Sequence, residues 1–138
     1  MKEKWLKTQI SEVAEIQSGS GFPEKYQGKA GLEYPFYKVS DMNISGNEEA
    51  MLYENNSISE KTRAELRAPI FPKGSVIFPK IGGAIATNKK RLITKNSCVD
   101  NNVMGIIPNS KKLTAGIFII LFCKLILWNF QTKLACLQ

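Results

Sequence analysis

The stretch Phe78 to Ile93, FPKIGGAIATNKKRLI, sets a Gly pair beside a Thr-Asn pair and three consecutive cations. Arg and Lys hold phosphates by charge, while Asn, Ser and Thr bond to phosphates or to base edges. Both kinds meet in Thr87, Asn88, Lys89, Lys90 and Arg91, next to a Gly turn where backbone can approach a ligand closely. Lys38-Val39-Ser40-Asp41-Met42-Asn43 forms a second polar cluster, and Asn101-Asn102 a third. Asn takes adenine in bidentate fashion. It is also an ordinary turn residue, so Asn88 and Asn101 fit either role.

Other chemistries lack their residues. A Walker P-loop needs G-x-x-x-x-G-K-[ST], and Gly82-Gly83 followed by Lys89-Lys90 misses that spacing. Gln17-Ser18-Gly19-Ser20-Gly21 has a G-x-G but no third Gly in place and no βαβ context. The chain has no His, which removes the ordinary Ser or Cys triad and the commonest metal ligand. A methyltransferase would need a Gly-rich cofactor loop and, for amino groups on bases, an Asn/Asp-Pro-Pro-aromatic element; neither is present. The expected catalytic and metal-ligating sets are empty.

Net charge is +7 and the pI is about 9.4. Residues 1–60 carry 6 Lys against 10 Asp/Glu, a net of −4, and residues 61–138 carry 13 Lys/Arg against 2 Asp/Glu, a net of +11. No acid stands between Glu65 and Asp100, where Arg67, Lys73, Lys80, Lys89, Lys90, Arg91 and Lys95 fall. A field of one sign attracts polyanions, and it also serves as a solvated face. An apolar fraction of 43% in 138 residues fits one globular domain, 1–138, with a sizeable core. Three Cys without a C-x-x-C suggest a reducing cytoplasm rather than a disulfide framework. The apolar run Ile117 to Phe130 is split by Lys124 and too short for a span, so it predicts a core helix and no membrane.

These residues need elements to hold them. Ser11 to Phe22 reads as a short helical turn or strand start that breaks at Gln-Ser-Gly-Ser-Gly. Tyr34 to Asn43 alternates with period two, which predicts a strand. Ser59 as N-cap with Glu60 behind it predicts a short helix through Leu66. Ser75 to Phe78, Ala84 to Thr87, Arg91 to Thr94 and Asn102 to Ile107 read as strands, with Gly82-Gly83 as a turn or bulge. Asn43 to Asn56 reads as polar loop. Thr114 caps a predicted helix over about 116–134. The whole is α+β, a bent mixed or antiparallel sheet of short strands with a C-terminal helix.

In order along the chain, Glu12-Val13-Ala14, Ser20-Gly21-Phe22-Pro23, Val39 to Asp41, Pro72 to Ile77, Gly82-Gly83 and Asn102 to Pro108 resemble a known pattern. It is that of the target recognition domain in specificity (S) subunits of type I restriction–modification systems, and it covers roughly residues 5–135. The resemblance implies a domain that reads one half of a split target in double-stranded DNA and catalyses nothing. It implies modification (M) and restriction (R) subunits as partners. S-adenosylmethionine, ATP and Mg are expected only on those partners, and no cofactor on this chain. Family members carry a second domain or a long spacer helix, whereas this chain stops at ACLQ about where the spacer should begin, and Ser11 stands where Gly is usual. A single recognition domain without its spacer is therefore expected.

On this reading a glycine-kinked strand pair lays Thr87 to Arg91 along a duplex. Lys89, Lys90 and Arg91 fix register on phosphates, while Asn88, Lys38, Ser40, Asp41 and Asn43 read bases, with Lys80, Thr87 and Asn101 in the same surface. The alternative is a truncated docking fragment of the same system that does not bind DNA. An acidic DNA mimic conflicts with the +11 half, a single-strand RNA binder would want stacking platforms beside the cations, and a small hydrolase lacks a nucleophile–base pair.

Overall fold

The computed structural model describes residues 10–109. A single turn, α1 (Ile10–Val13), runs into β1 (Ala14–Ser18). β1 lies antiparallel to β8 (Val103–Pro108), from Ala14↔Pro108 to Ser18↔Met104. β8 pairs in turn with β5 (Val76–Pro79), β5 with β6 (Arg91–Ile93), both antiparallel, and β6 with β3 (Ala50–Met51) in parallel. The five-stranded order is β1-β8-β5-β6-β3. A second sheet sets β2 (Tyr34–Tyr37) between antiparallel β4 (Ser57–Ile58) and parallel β7 (Cys98–Val99). The fold is α+β with mixed sheets of short strands, as the sequence predicts.

β2 separates two cores. Phe36 and Cys98, register partners, turn to one side with Ile58 and Ala68, and Phe36 stacks on Phe22 at 3.8 Å between ring centroids. Tyr37 and Val99, the next pair along, turn to the other side with Met42, Met51, Phe71, Ile77, Ile93 and Val103. Each large side chain buried this way contributes about 1.5–3 kcal/mol. Burial also pushes the Cys98 thiol and the Tyr37 hydroxyl up to about 12 each.

Three expectations need correction. The Tyr34 to Asn43 strand stops at Tyr37, because β2 is buried on both faces and Val39–Asn43 winds into a 3-10 turn. The turn is closed where the Asp41 carboxylate accepts the Lys38 N–H at 2.7 Å, a local side-chain bond that competes with extending the strand. Ala84 to Thr87 is not a strand. Gly82 to Ala86 forms α3, opened by Gly82 at a φ of 59°, which a side chain rarely takes, and propagated by alanines. Asn43 to Asn56 is not wholly loop, since it contains β3 and is organised around buried Asn47. The Ser59 cap stands as expected, accepting the Thr62 N–H at 3.3 Å ahead of α2 (Glu60–Leu66). The predicted helix over 116–134 lies outside the described residues. Among the described residues no helix is long and apolar enough to cross a membrane.

Candidate functional site

Strand directions decide where the polar clusters fall. β5 and β6 are antiparallel, with Val76 opposite Leu92 and Ile77 opposite Arg91. Lys80, just past β5, and Lys89-Lys90-Arg91, at the start of β6, therefore share one end of the sheet. Lys73 and Lys95 fall at the opposite end, where they line an open groove with Glu33, Tyr34, Thr94 and Asn96. There Lys95 pairs with Glu54 at 3.3 Å. The acid-free window of the sequence is thus divided between two ends of the molecule.

The end holding Lys80 gathers more. β2 and β7 run parallel, so the 39–43 turn after β2 and the Asp100–Asn102 turn after β7 emerge together. β1 delivers Ser18 to Ser20 to the same place. The Gly19 N–H donates to the Val103 carbonyl at 3.1 Å, and the Ser20 N–H to the Val99 carbonyl at 3.0 Å. A Cβ on Gly19 would lie 2.0 Å from the Asp100 carbonyl oxygen, so only glycine admits this approach. The SGSG run thus serves backbone packing, and needs no cofactor to explain it.

Hydrogen bonds stitch the rim. Lys89 Nζ donates to Asn43 Oδ1, and the Arg91 guanidinium donates to the Met42 carbonyl at 3.0 Å and to the Lys90 carbonyl at 2.9 Å. The 87–91 segment is therefore fastened to the 39–43 turn. Lys80 Nζ donates to Ser18 Oγ, and its N–H to the Asn102 carbonyl at 3.1 Å. Lys38 Nζ donates to Gln27 Oε1 at 3.0 Å. Asn88 takes a left-handed φ of 51°, and its Oδ1 accepts Lys90 Nζ at 2.7 Å. Thr87 Oγ1 donates to the Ala84 carbonyl at 2.6 Å, closing α3.

Charge follows position. Burial pulls the Arg91 guanidinium down from its ordinary value, with Glu48 opposing. Burial pushes the Asp100 carboxyl up, against the Asn102 N–H, Lys38 and Lys80, while Asp41 adds to the rise. Asp100 thus lies within electrostatic reach of Lys38, Asp41 and Lys80, which marks those residues as one neighbourhood. Among the described residues, no group of three or more His, Cys, Asp or Glu side chains is placed to hold a metal ion.

Of the residues singled out from sequence, Ser40, Asn43, Thr87 and Asn101 are exposed. Lys38, Lys80, Asn88, Lys89, Lys90 and Arg91 are half-buried on the same rim. Asp41 is different, being 1% exposed. Its two carboxylate oxygens accept the Lys38 N–H and, at 3.1 Å, Asn55 Nδ2. It shapes the turn and offers nothing outward. Sequence reasoning missed Ser18 and Asp100, and marked Asn102 only as part of a polar pair. Lys80 meets Asn102 through the β5–β8 pairing, whereas Ser18 reaches it only because β1 and β8 meet across more than eighty residues, which no local pattern announces.

Residues 2–135 match the family described as type I restriction modification DNA specificity domain. In fold the chain is similar to a structure from work on complex assembly and conformational transition of the type I R-M system, with a TM-score of 0.60, 12% identity, and 89% of this chain and 29% of that one covered. It is also similar to the HsdS subunit from Thermoanaerobacter tengcongensis, at a TM-score of 0.58 and 12% identity with the same coverage. The chain spans 29% of the length of either structure. No curated protein matches it.

Proposed function

The chain belongs to the type I restriction modification DNA specificity domain family, and from that premise we propose that it reads one half of a split target in double-stranded DNA. Modification and restriction subunits then carry out methylation and cleavage, together with the S-adenosylmethionine, ATP and Mg that such steps require. The chain itself contributes binding and no catalysis. The observation that carries the proposal is the fastening of the cationic 87–91 segment to the polar 39–43 turn, through Lys89–Asn43 and Arg91–Met42.

Physical roles follow from exposure and partners. Lys89 and Lys90 hold phosphates, releasing counterions as they do. Arg91 spends its guanidinium on backbone carbonyls, so its main work is to fix the turn beside them. Ser40, Asn43, Asn88 and Lys38 stand where they can meet base edges, and the major groove gives each base pair a distinct donor and acceptor pattern. Lys80 and Asn101 extend the same rim toward the β7–β8 turn. Asp41 acts by positioning.

Duplex binding measured across salt concentrations tests the proposal. Replacing Lys89 and Lys90 together by Ala should weaken all sequences alike and reduce the slope of log K against log salt by about 2. An unchanged slope removes both residues from the interface. Co-expression with the modification subunit of the same genome, followed by mapping of methylated adenines, tests the partner assignment. Co-purification without any DNA binding would favour the docking-fragment reading.

A further inference from the structure

We infer that Ile81 and Ile85, at the β5–β6 crossover, enter the DNA groove and contact thymine methyl groups as specificity-determining residues; this rests on the DNA-reading role proposed above. Each is 48% exposed, and what sets the pair apart from the other exposed aliphatics, Ile16, Leu32 and Leu52, is its place between cations on one short connection. Ile81 is the N-cap residue just before α3 and Ile85 lies within it, so both stand on the short connection from β5 to β6. Neither belongs to the two core clusters of the described residues.

What surrounds the pair identifies its occupant. Lys80 precedes it directly, and Lys89 and Lys90 follow it at the same end of the sheet. An apolar pair framed by cations matches one polyanion closely. A duplex presents phosphates along both walls of its major groove, and on the floor a single apolar group, the thymine C5 methyl. The five residues of α3 span about 7.5 Å, within the roughly 12 Å width of that groove. Arg91 and Lys89 tie this crossover to the 39–43 turn, so groove contact by α3 sets the exposed Ser40 and Asn43 against neighbouring base pairs.

The experiment uses the full chain with its modification subunit. A preferred duplex is selected from a random-sequence library, and each thymine of the consensus is then replaced singly by deoxyuridine, which deletes only the methyl. The expected result is a loss of about 3- to 10-fold at one or two positions for the unsubstituted protein, the worth of one buried methyl. Ile81→Ala or Ile85→Ala should bind the thymine and uracil duplexes equally there, with the salt slope unchanged. Sequence-specific binding that depends on Lys89 and Lys90 but never distinguishes thymine from uracil would overturn the inference and leave the DNA-reading role standing. A consensus made only of G·C pairs would overturn it as well. So would an Ile85→Ala protein that binds DNA normally but no longer holds the modification subunit, since the patch would then belong to a protein partner. Absence of any sequence-preferring binding would remove the DNA-reading role itself, and this inference with it. The thymine-to-uracil comparison on the unsubstituted protein needs no variant, so a poorly folding substitution does not block the test.

Discussion

Replacing Asn47 by Ala removes the centre of the 44–56 segment. Asn47 is 0% exposed. Its Nδ2 donates to the Asp41 and Tyr53 carbonyls, and its Oδ1 accepts the Leu52 and Tyr53 N–H groups, all at 2.9 Å. Alanine leaves two carbonyls and two amides to find new partners. The Asp41 carbonyl is the most deeply enclosed, but it keeps the Ile44 N–H at 3.3 Å. Leu52 and Tyr53 are exposed residues, so water can replace part of what their backbone loses. Taking the enclosed group at 1–2 kcal/mol and the other three at about 0.5 kcal/mol each gives a loss of about 3 kcal/mol. With a urea dependence near 1.5 kcal/mol/M for a domain of this size, the midpoint followed by far-ultraviolet circular dichroism should fall by about 2 M with little change in slope. Asn47→Asp keeps the acceptors, loses both donors and sets a charge against two carbonyl oxygens, so it should be at least as damaging. A midpoint shift below about 0.5 M for Asn47→Ala would refute this account of the segment.

Gly19→Ala forces the β1 terminus away from the Val99 and Asp100 carbonyls, which its Cβ would meet at 2.5 and 2.0 Å. Two backbone hydrogen bonds to β7 and β8 are then strained, for a loss of about 3 kcal/mol in thermal or urea unfolding; a loss under 1 kcal/mol would contradict the close approach. Asp100→Asn keeps the oxygen that accepts the Asn102 N–H at 2.8 Å and deletes the titration. Because burial raises the folded-state value, the folded protein holds the Asp100 proton more tightly than the unfolded chain. That contribution is complete below the ordinary aspartate range and is lost as pH rises through the raised value. Unfolding measured from about pH 3 to 7 should therefore show the unsubstituted protein losing ground to Asp100→Asn as pH climbs. A gap constant over that range would show that Asp100 titrates normally.

The parts of the fold legible in the sequence are those set by local chemistry. Ser59 announces α2 because its hydroxyl can reach the Thr62 N–H, and Val76–Pro79, Arg91–Ile93 and Val103–Pro108 read as strands from apolar runs closed by turn residues. Tyr34 to Tyr37 is the strand its alternation predicts, but the extension to Asn43 misled, because the residues after Tyr37 wind into a 3-10 turn and the strand itself is buried between two cores. Gly82-Gly83 misled in another way. Glycines predict a break, but an alanine-rich continuation winds once Gly82 has supplied the left-handed entrance. For the rim, residue types were readable and company was not. Lys89 and Asn43 are 46 positions apart, and only strand pairing brings them together. Asp41 shows the limit from the other side, since a carboxylate in a polar run gives no sign of whether it faces water or the chain's own N–H groups.

Because β2 is clamped between two cores, the turn that leaves it starts from an anchor that substitutions further along do not loosen. Within that turn Asp41 and Met42 face inward while Ser40 and Asn43 face out. Evolution, or a combinatorial library, can therefore rewrite position 40 on an unaltered foundation, whereas a change at position 43 also removes the Lys89 contact. Positions 41 and 42 must stay fixed. The turn is laid out so that an outward side chain can drift without disturbing what keeps it folded.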